Sequence, residues 1–274
     1  MNDLRYEQVR PVNRWASVVL AANAGPMTLD GTNTWIVRDP DSESAIVVDP
    51  GPDDATHLDP VLAAAGRVSV ILLTHGHVDH SAGAQRLSER TGASVRALDP
   101  ALRLGSAGLA EGAVVAESGV ELRVWNTPGH TSDSLSFLLD DGSQRSVLTG
   151  DTILGRGTAV VAYPDGDLAD YLISLKRLSE LGDSQVLPGH GPELASAGVV
   201  AAQYLRHREE RLDQVRRAVE QLGAEADARA VVEVVYADVD QSLWWAAELS
   251  VRAQLAYLNG GLNARDGKGA RGRE

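Results

Sequence analysis

The stretch Thr74 to Gly83, THGHVDHSAG, sets three imidazoles and one carboxylate within six positions, at His75, His77, Asp79 and His80. The chain has no cysteine, so imidazole nitrogen and carboxylate oxygen are the side-chain groups left for binding zinc, iron or manganese. The apolar run VSVILL in front of the stretch reads as a strand, and a strand end is a rigid mount for such groups. His75 and His77 leave it two residues apart and can face the same way. Asp79 and His80 follow as the chain turns into a helix over the small residues Ser81, Ala82 and Gly83.

The other histidines repeat this placement. Of seven in the chain, His130 in NTPGHTSDS and His190 in VLPGHGPE also sit in Gly-containing turns directly after apolar strands, and Asp151 does the same in VLTGDTI. Four strand ends therefore deliver His75, His77, Asp79, His80, His130, Asp151 and His190. That set is too large for one tetrahedral metal, whereas two divalent cations sharing a carboxylate and a bridging water account for all of it. Two such cations bring water to ionise near neutral pH, and the resulting hydroxide can attack a carbonyl carbon or a phosphorus. Zinc is the first expectation, and iron and manganese suit the same ligands. Asp79 and His190 are the candidate catalytic residues, with Asp79 as the shuttle that carries a proton to the leaving group. Asn33, in the TNT turn, and Thr131, beside His130, are candidates to fix the imidazoles. His57, in DDATHLDP, reads as a helix-start residue.

The elements that must hold these groups alternate short β-branched runs with Gly, Pro and Asp punctuation. Strands are expected at 17–20, 34–37, 45–49, 68–74, 94–97, 114–115, 121–127, 135–139, 146–149 and 185–187, and helices at 59–65, 82–91 and 168–181. Many strands with few helices between them argue for packed sheets covered by helices, not a doubly wound parallel sheet. Helical patterns at 193–222, 228–236 and 241–258 read as a second, smaller helical domain. The expected organisation is a catalytic domain over 1–195, a helical domain over 196–262 and a disordered tail over 263–274, in NARDGKGARGRE.

The formal net charge of -13 sets the molecule as a whole against nucleic acid and anionic lipid, so a nucleic-acid partner needs a local basic patch. The best is Arg206, Arg208, Arg211, Arg216 and Arg217, which reads as a solvated helix face diluted by Glu209, Glu210 and Asp213. Trp244 and Trp245 read as packing between the domains. No apolar run is long enough to span a membrane, and Trp15 to Ala24 reads as a first strand in preference to a signal peptide. With no cysteine, the expected compartment is the cytoplasm.

THGHVDH, then TPGHTSDS, TGDTI and LPGHG, in that order across residues 15–195, resemble the metallo-β-lactamase fold superfamily. The resemblance implies an α+β fold, an αββα four-layer sandwich with the metal site at one edge between the sheets. By position, His75, His77 and His130 resemble the ligands of a first metal, Asp79, His80 and His190 those of a second, and Asp151 the bridging ligand. Within the superfamily, NAGPMTLDGTNTWIV, GDTILGRGT and LPGHGPEL, with QYLRHREERLDQV leading into the helical region, are similar to the β-lactamase-like endoribonucleases with a C-terminal winged-helix-like domain. The departure is at the end, where no clear pair of wing strands follows Tyr257. This subgroup implies hydrolysis of a phosphodiester in single-stranded RNA. Thioesters, lactones and other small esters are the alternative, β-lactams a weaker one, and a metal-poor binding protein on the same fold the reading outside enzymes. Substrate apart, the sequence leaves the oligomeric state open, with a homodimer as one option.

Overall fold

The computed structural model describes residues 5–223 and 226–269. Two sheets are laid down largely in chain order. The first holds β1 (Val9–Pro11), β2 (Ala16–Leu20), β3 (Asn33–Val37), β4 (Ser44–Val48), β5 (Arg67–Leu72) and β6 (Ser94–Arg96), neighbouring one another in that order. Its first four strands are antiparallel. Helix α1 (Ala55–Ala65) then crosses from β4 to a parallel β5, and α2 (Val78–Ser81) and α3 (Ala84–Thr91) cross from β5 to a parallel β6. The second sheet is ordered β11-β10-β9-β8-β7 from β7 (Val114–Glu117), β8 (Val120–Asn126), β9 (Leu135–Asp140), β10 (Arg145–Gly150) and β11 (Gln185–Pro188). Helix α4 (Leu168–Ser179) makes its one parallel crossover, from β10 to β11.

Alternation along the strands sends side chains both ways. From β4, Ile46 and Val48 join Trp35, Leu72, Leu122, Val124, Phe137 and Leu148 between the sheets, while Ala45 and Val47 pack under α1 and α3. Outside the second sheet, Val147 and Val186 meet Leu175 and Leu178 of α4 and Ala201 and Tyr204 of α5 (Ala197–Leu222). The result is a four-layer α/β/β/α sandwich, as expected. Phe137 is the chain's single phenylalanine and is fully buried in the central layer. Phe137→Ala should lower unfolding stability by about 3–5 kcal/mol through lost burial and the cavity left, read from the midpoint of a denaturant titration.

The C-terminal part is helical, with α6 (Ala228–Val235) and α7 (Trp244–Gly269). Its core joins Val231, Val232, Trp244 and Val251 to Val215 and Ala218 of α5, so α5 enters both cores without a break. Trp244 is thus packed inside this second core and not between the two units, while Trp245 is half exposed. Among the described residues no strand follows β11. The segment read as a disordered tail begins as the end of α7, because an established helix adds each further hydrogen bond at the cost of ordering one residue; residues 270–274 lie outside the described residues. No described helix is long and apolar enough to cross a membrane.

Other differences have local causes. α1 starts one turn earlier than its sequence pattern suggests, because Asp54 caps it by accepting from the Thr56 N–H. The helix expected at 82–91 breaks at Gly83, whose N–H turns away to the Gly51 carbonyl. β1 has no apolar alternation and contains proline, which an edge strand tolerates.

Candidate metal centre

The C-terminal ends of β5, β8, β10 and β11 converge at one edge of the sandwich and bring all seven residues together. His75 Nε2 and His130 Nε2 lie 3.0 and 3.1 Å from His77 Nδ1. Beside this trio, His80 Nε2 and His190 Nε2 are 3.2 Å apart, and Asp79 Oδ2 is 3.4 and 3.2 Å from them. Asp151 lies between the groups, Oδ1 3.4 Å from His80 Nε2 and Oδ2 3.6 and 3.3 Å from His130 Nε2 and His190 Nε2. One ligand atom from each of His75, His77, His130 and Asp151 lies within 4.8 Å of the others, and the same holds for Asp79, His80 and His190.

Close backbone approach makes this crowding possible. A Cβ on Gly189, in the LPGHG turn, would sit 2.5 Å from Asp151 Oδ1 and 2.7 Å from His80 Cε1, so only glycine lets that turn lie against the ligands. Gly129, at φ +131°, passes so close to the Tyr171 backbone that a Cβ would come within 2.3 Å of it.

Four rings are held from behind by acceptors at Nδ1, which turns their Nε2 atoms into the site. His130 Nδ1 donates to the Val160 carbonyl at 2.7 Å, and His190 Nδ1 to the Gly31 carbonyl at 3.0 Å. His80 Nδ1 donates to Asp49 Oδ2 at 2.9 Å, and His75 Nδ1 to the Thr74 hydroxyl at 3.0 Å, which itself donates to Asp49 Oδ2 at 2.7 Å. One buried carboxylate, Asp49, therefore orients a ring in each group, directly in one and through Thr74 in the other. Its oxygens are taken up by these bonds and by the Thr74 N–H, which makes it an orienting group and not a ligand.

Asn33 and Thr131 differ from expectation, since neither bonds an imidazole. Asn33 Nδ2 donates to the Pro188 and Gly191 carbonyls and so fixes the turn that carries His190. The Thr131 hydroxyl bonds Asp133 and Ser134 within its own turn, which a threonine's short side chain reaches first. His57 does lie in the first turn of α1. It is also buried, between Glu7 Oε2 at 2.7 Å and the Thr34 hydroxyl at 2.8 Å.

Burial, with the positive neighbour His80, pushes His75 well below the usual imidazole range, and burial likewise lowers His130. Burial opposes charge at Asp79, but the hydrogen bond from His190 and the charge of His80 outweigh it and hold the carboxyl at about 2. At His190 burial is outweighed by the Asp151 and Asp79 carboxylates, which raise it to about 9.

The donor set fits divalent cations. Neutral imidazoles and carboxylates are the ligands such ions take when thiolate is absent, and the ring nitrogens face one another across a gap that a cation would fill. Among the described residues Asp151 Oδ1 is buried with no hydrogen-bond partner, an arrangement that costs free energy unless a positive centre answers it.

Comparison with known proteins agrees with this geometry. The profile described as metallo-beta-lactamase superfamily matches residues 27–190, and that described as beta-lactamase associated winged helix domain matches residues 228–259. The chain is 31% identical over 260 residues to the beta-lactamase-like protein 2 homolog of Drosophila melanogaster, covering 88% of this chain and 86% of that one. It is 33% identical over 218 residues to the atrochrysone carboxyl ACP thioesterase of Aspergillus fumigatus, covering 76% of this chain and 65% of that one. A beta-lactamase domain protein from Burkholderia ambifaria superposes with a TM-score of 0.79 at 22% identity, covering 94% of this chain and 91% of that one.

Proposed function

Because the chain belongs to the metallo-β-lactamase superfamily, whose fold implies divalent metal binding, we propose that this hydrolase acts on a small carbonyl ester or thioester. In this reading His75, His77 and His130 hold one cation, Asp79, His80 and His190 a second, and Asp151 reaches both. Zinc is the first candidate for each position, with iron or manganese the alternatives. Divalent cations there supply Lewis acidity, lowering the pKa of water and drawing negative charge off the substrate oxygen. The Asp79 carboxylate, partly exposed and held ionised, is placed to take a proton beside the site and return it to the leaving group. Asn33 and Asp49 hold the ligand geometry, Asn33 through the turn that carries His190 and Asp49 through His80 and Thr74.

The observation that carries the substrate class is the cleft at the mouth. It measures about 520 Å³ and runs from His77 past Leu98 and Pro100 to Asp99, Asp133 and Asp165, with no lysine or arginine among the described residues that line it. A phosphodiester would bring its charge among three carboxylates, whereas a neutral acyl group escapes that repulsion and can rest on Leu98 and Pro100. The thioesterase named among the relatives supports the same choice. Single-stranded RNA, the expectation from sequence, is the second reading, favoured by the match to a winged-helix domain. Its arginine patch is depleted: Arg208 is buried, Arg211 stacks on Tyr236 at 4.3 Å, and Arg216 pairs with Asp213.

The test is a parallel assay of metal-loaded protein on a glutathione thioester, a lactone, a β-lactam and single-stranded RNA, each with and without chelator. Thioester or lactone turnover that chelator abolishes, with RNA intact, is the expected outcome. RNA cleavage with every acyl substrate untouched would overturn the acyl reading in favour of the phosphodiester one.

A further inference from the structure

The segment from Asp151 to Gly166 runs without helix or strand, yet two parts of the metal centre depend on it. It begins at the carboxylate between the two groups, and Val160 lends its carbonyl to His130. Irregular segments of this length are ordinarily mobile. Arg156 pairs with Asp30 and the Gly155 N–H donates to the His190 carbonyl, and the stretch between Leu154 and Val160 is further held by α5, which lies outside the matched catalytic region. The Tyr204 hydroxyl accepts from the Leu154 N–H at 3.1 Å and donates to the Leu154 carbonyl at 3.2 Å. One helical turn later Arg208 donates to the carbonyl of Ala159, the residue next to Val160. Its guanidinium lies 4.9 Å from the centre of the Tyr171 ring, and the Tyr171 hydroxyl donates to the carbonyl of Thr152, next to Asp151. Tyr204 and Arg208 thus hold the segment at Leu154 and Ala159, and Arg208 also packs on the Tyr171 ring that bonds Thr152.

Arg208 is a poor choice for stability alone. It is 4% exposed, and among the described residues its Nε has no hydrogen-bond partner and no carboxylate pairs with it. A solvated helix face, the expectation from sequence, is not where this residue lies, because α5 turns it inward against the segment. Burying a cation without a counter-charge works against folding, so the position calls for a gain elsewhere.

We propose that Tyr204 and Arg208 are positioning residues of the metal centre, fixing the Asp151–Gly166 segment so that the Val160 carbonyl holds the His130 ring. The proposal rests on the reading that the His and Asp set binds divalent cations. Removing Arg208 frees the Ala159–Val160 peptide and loosens one ligand of the first group, which acts on metal binding before it acts on the fold.

The experiment uses the full chain loaded with Co²⁺ and compares wild type with Arg208→Met, Arg208→Lys, Tyr204→Phe and the exposed control Arg216→Met. Readouts are Co²⁺ affinity by competition, the cobalt d–d absorption spectrum and Tm. Arg208→Met is expected to lower affinity by about ten- to a hundred-fold, the usual effect of removing an outer partner of a metal ligand, and to shift the spectrum at an unchanged or higher Tm. Arg208→Lys, which still donates, should recover part of the loss; Tyr204→Phe should show a smaller loss, and Arg216→Met none. Wild-type affinity and spectrum in folded Arg208→Met and Tyr204→Phe would overturn the proposal, as would an affinity loss that only follows a lowered Tm. Should Arg208→Met not fold, Tyr204→Phe, which removes a single oxygen, decides by the same readouts. A wild-type protein that takes up no Co²⁺ would instead sink the metal reading beneath it.

Discussion

Asp151→Ala is expected to lower kcat/KM by about 10³-fold and to strip metal from the purified protein. Asp151 is the side chain within reach of both groups, 3.4 Å from His80, 3.3 Å from His190 and 3.6 Å from His130. Without it, two cations would sit in a buried site with Asp79 as the one carboxylate left among the proposed ligands. Losing one partner of a buried charge pair costs about 3–5 kcal/mol, and about 1.4 kcal/mol is tenfold in rate, so the estimate spans roughly 10² to 10⁴. Asp151→Asn keeps the shape and removes the charge, and should fall nearly as far if charge is what matters. Metal content by mass spectrometry and turnover of the preferred acyl substrate check this. Full occupancy with wild-type turnover in Asp151→Ala would remove the bridging role.

The second large effect is expected one layer out. Asp49→Ala should weaken metal binding by about 10²-fold while every proposed ligand stays in place. Loss of an outer partner usually costs about ten- to a hundred-fold in affinity, and Asp49 serves two rings at once, His80 directly and His75 through Thr74. The upper end of that range is therefore the expectation. Asp49 also adopts φ +51°, a conformation that aspartate and asparagine tolerate better than alanine, so some stability should be lost as well. Asp49→Asn keeps the backbone preference and one acceptor and should fall between. A zinc competition titration separates the three proteins, and equal affinity for wild type and Asp49→Ala would contradict the relay.

The strands and the seven clustered residues were legible because their signals are local: an apolar β-branched run, a Gly-containing turn, and a ligand-type side chain in it. Asp49 carries the same signal, following AIVV and preceding Pro50 and Gly51, and could have been found by it. Its different role was not readable, since it depends on Thr74 and His80 lying across the strand pairing of β4 with β5. Val160 acts through its carbonyl, which any residue possesses, so no side-chain pattern marks it. Thr131 was misread because a hydroxyl next to a histidine has nearer partners in its own turn. Arg208 was misread for the opposite reason: its helix pattern permits a solvated face, and only the position of the segment beneath α5 turns that face inward. β1 escaped notice because pairing with β2, not its own sequence, makes it a strand.

Helix α5 has a consequence for how the molecule comes apart. Its first turns are packed under Leu175 and Leu178 and its last under Val231 and Trp244, with no break between. Neither core can open without uncovering apolar surface in the other. The sandwich and the helical unit therefore form one cooperative unfolding block, in which amides in the middle of α5 exchange with solvent only when the whole chain opens.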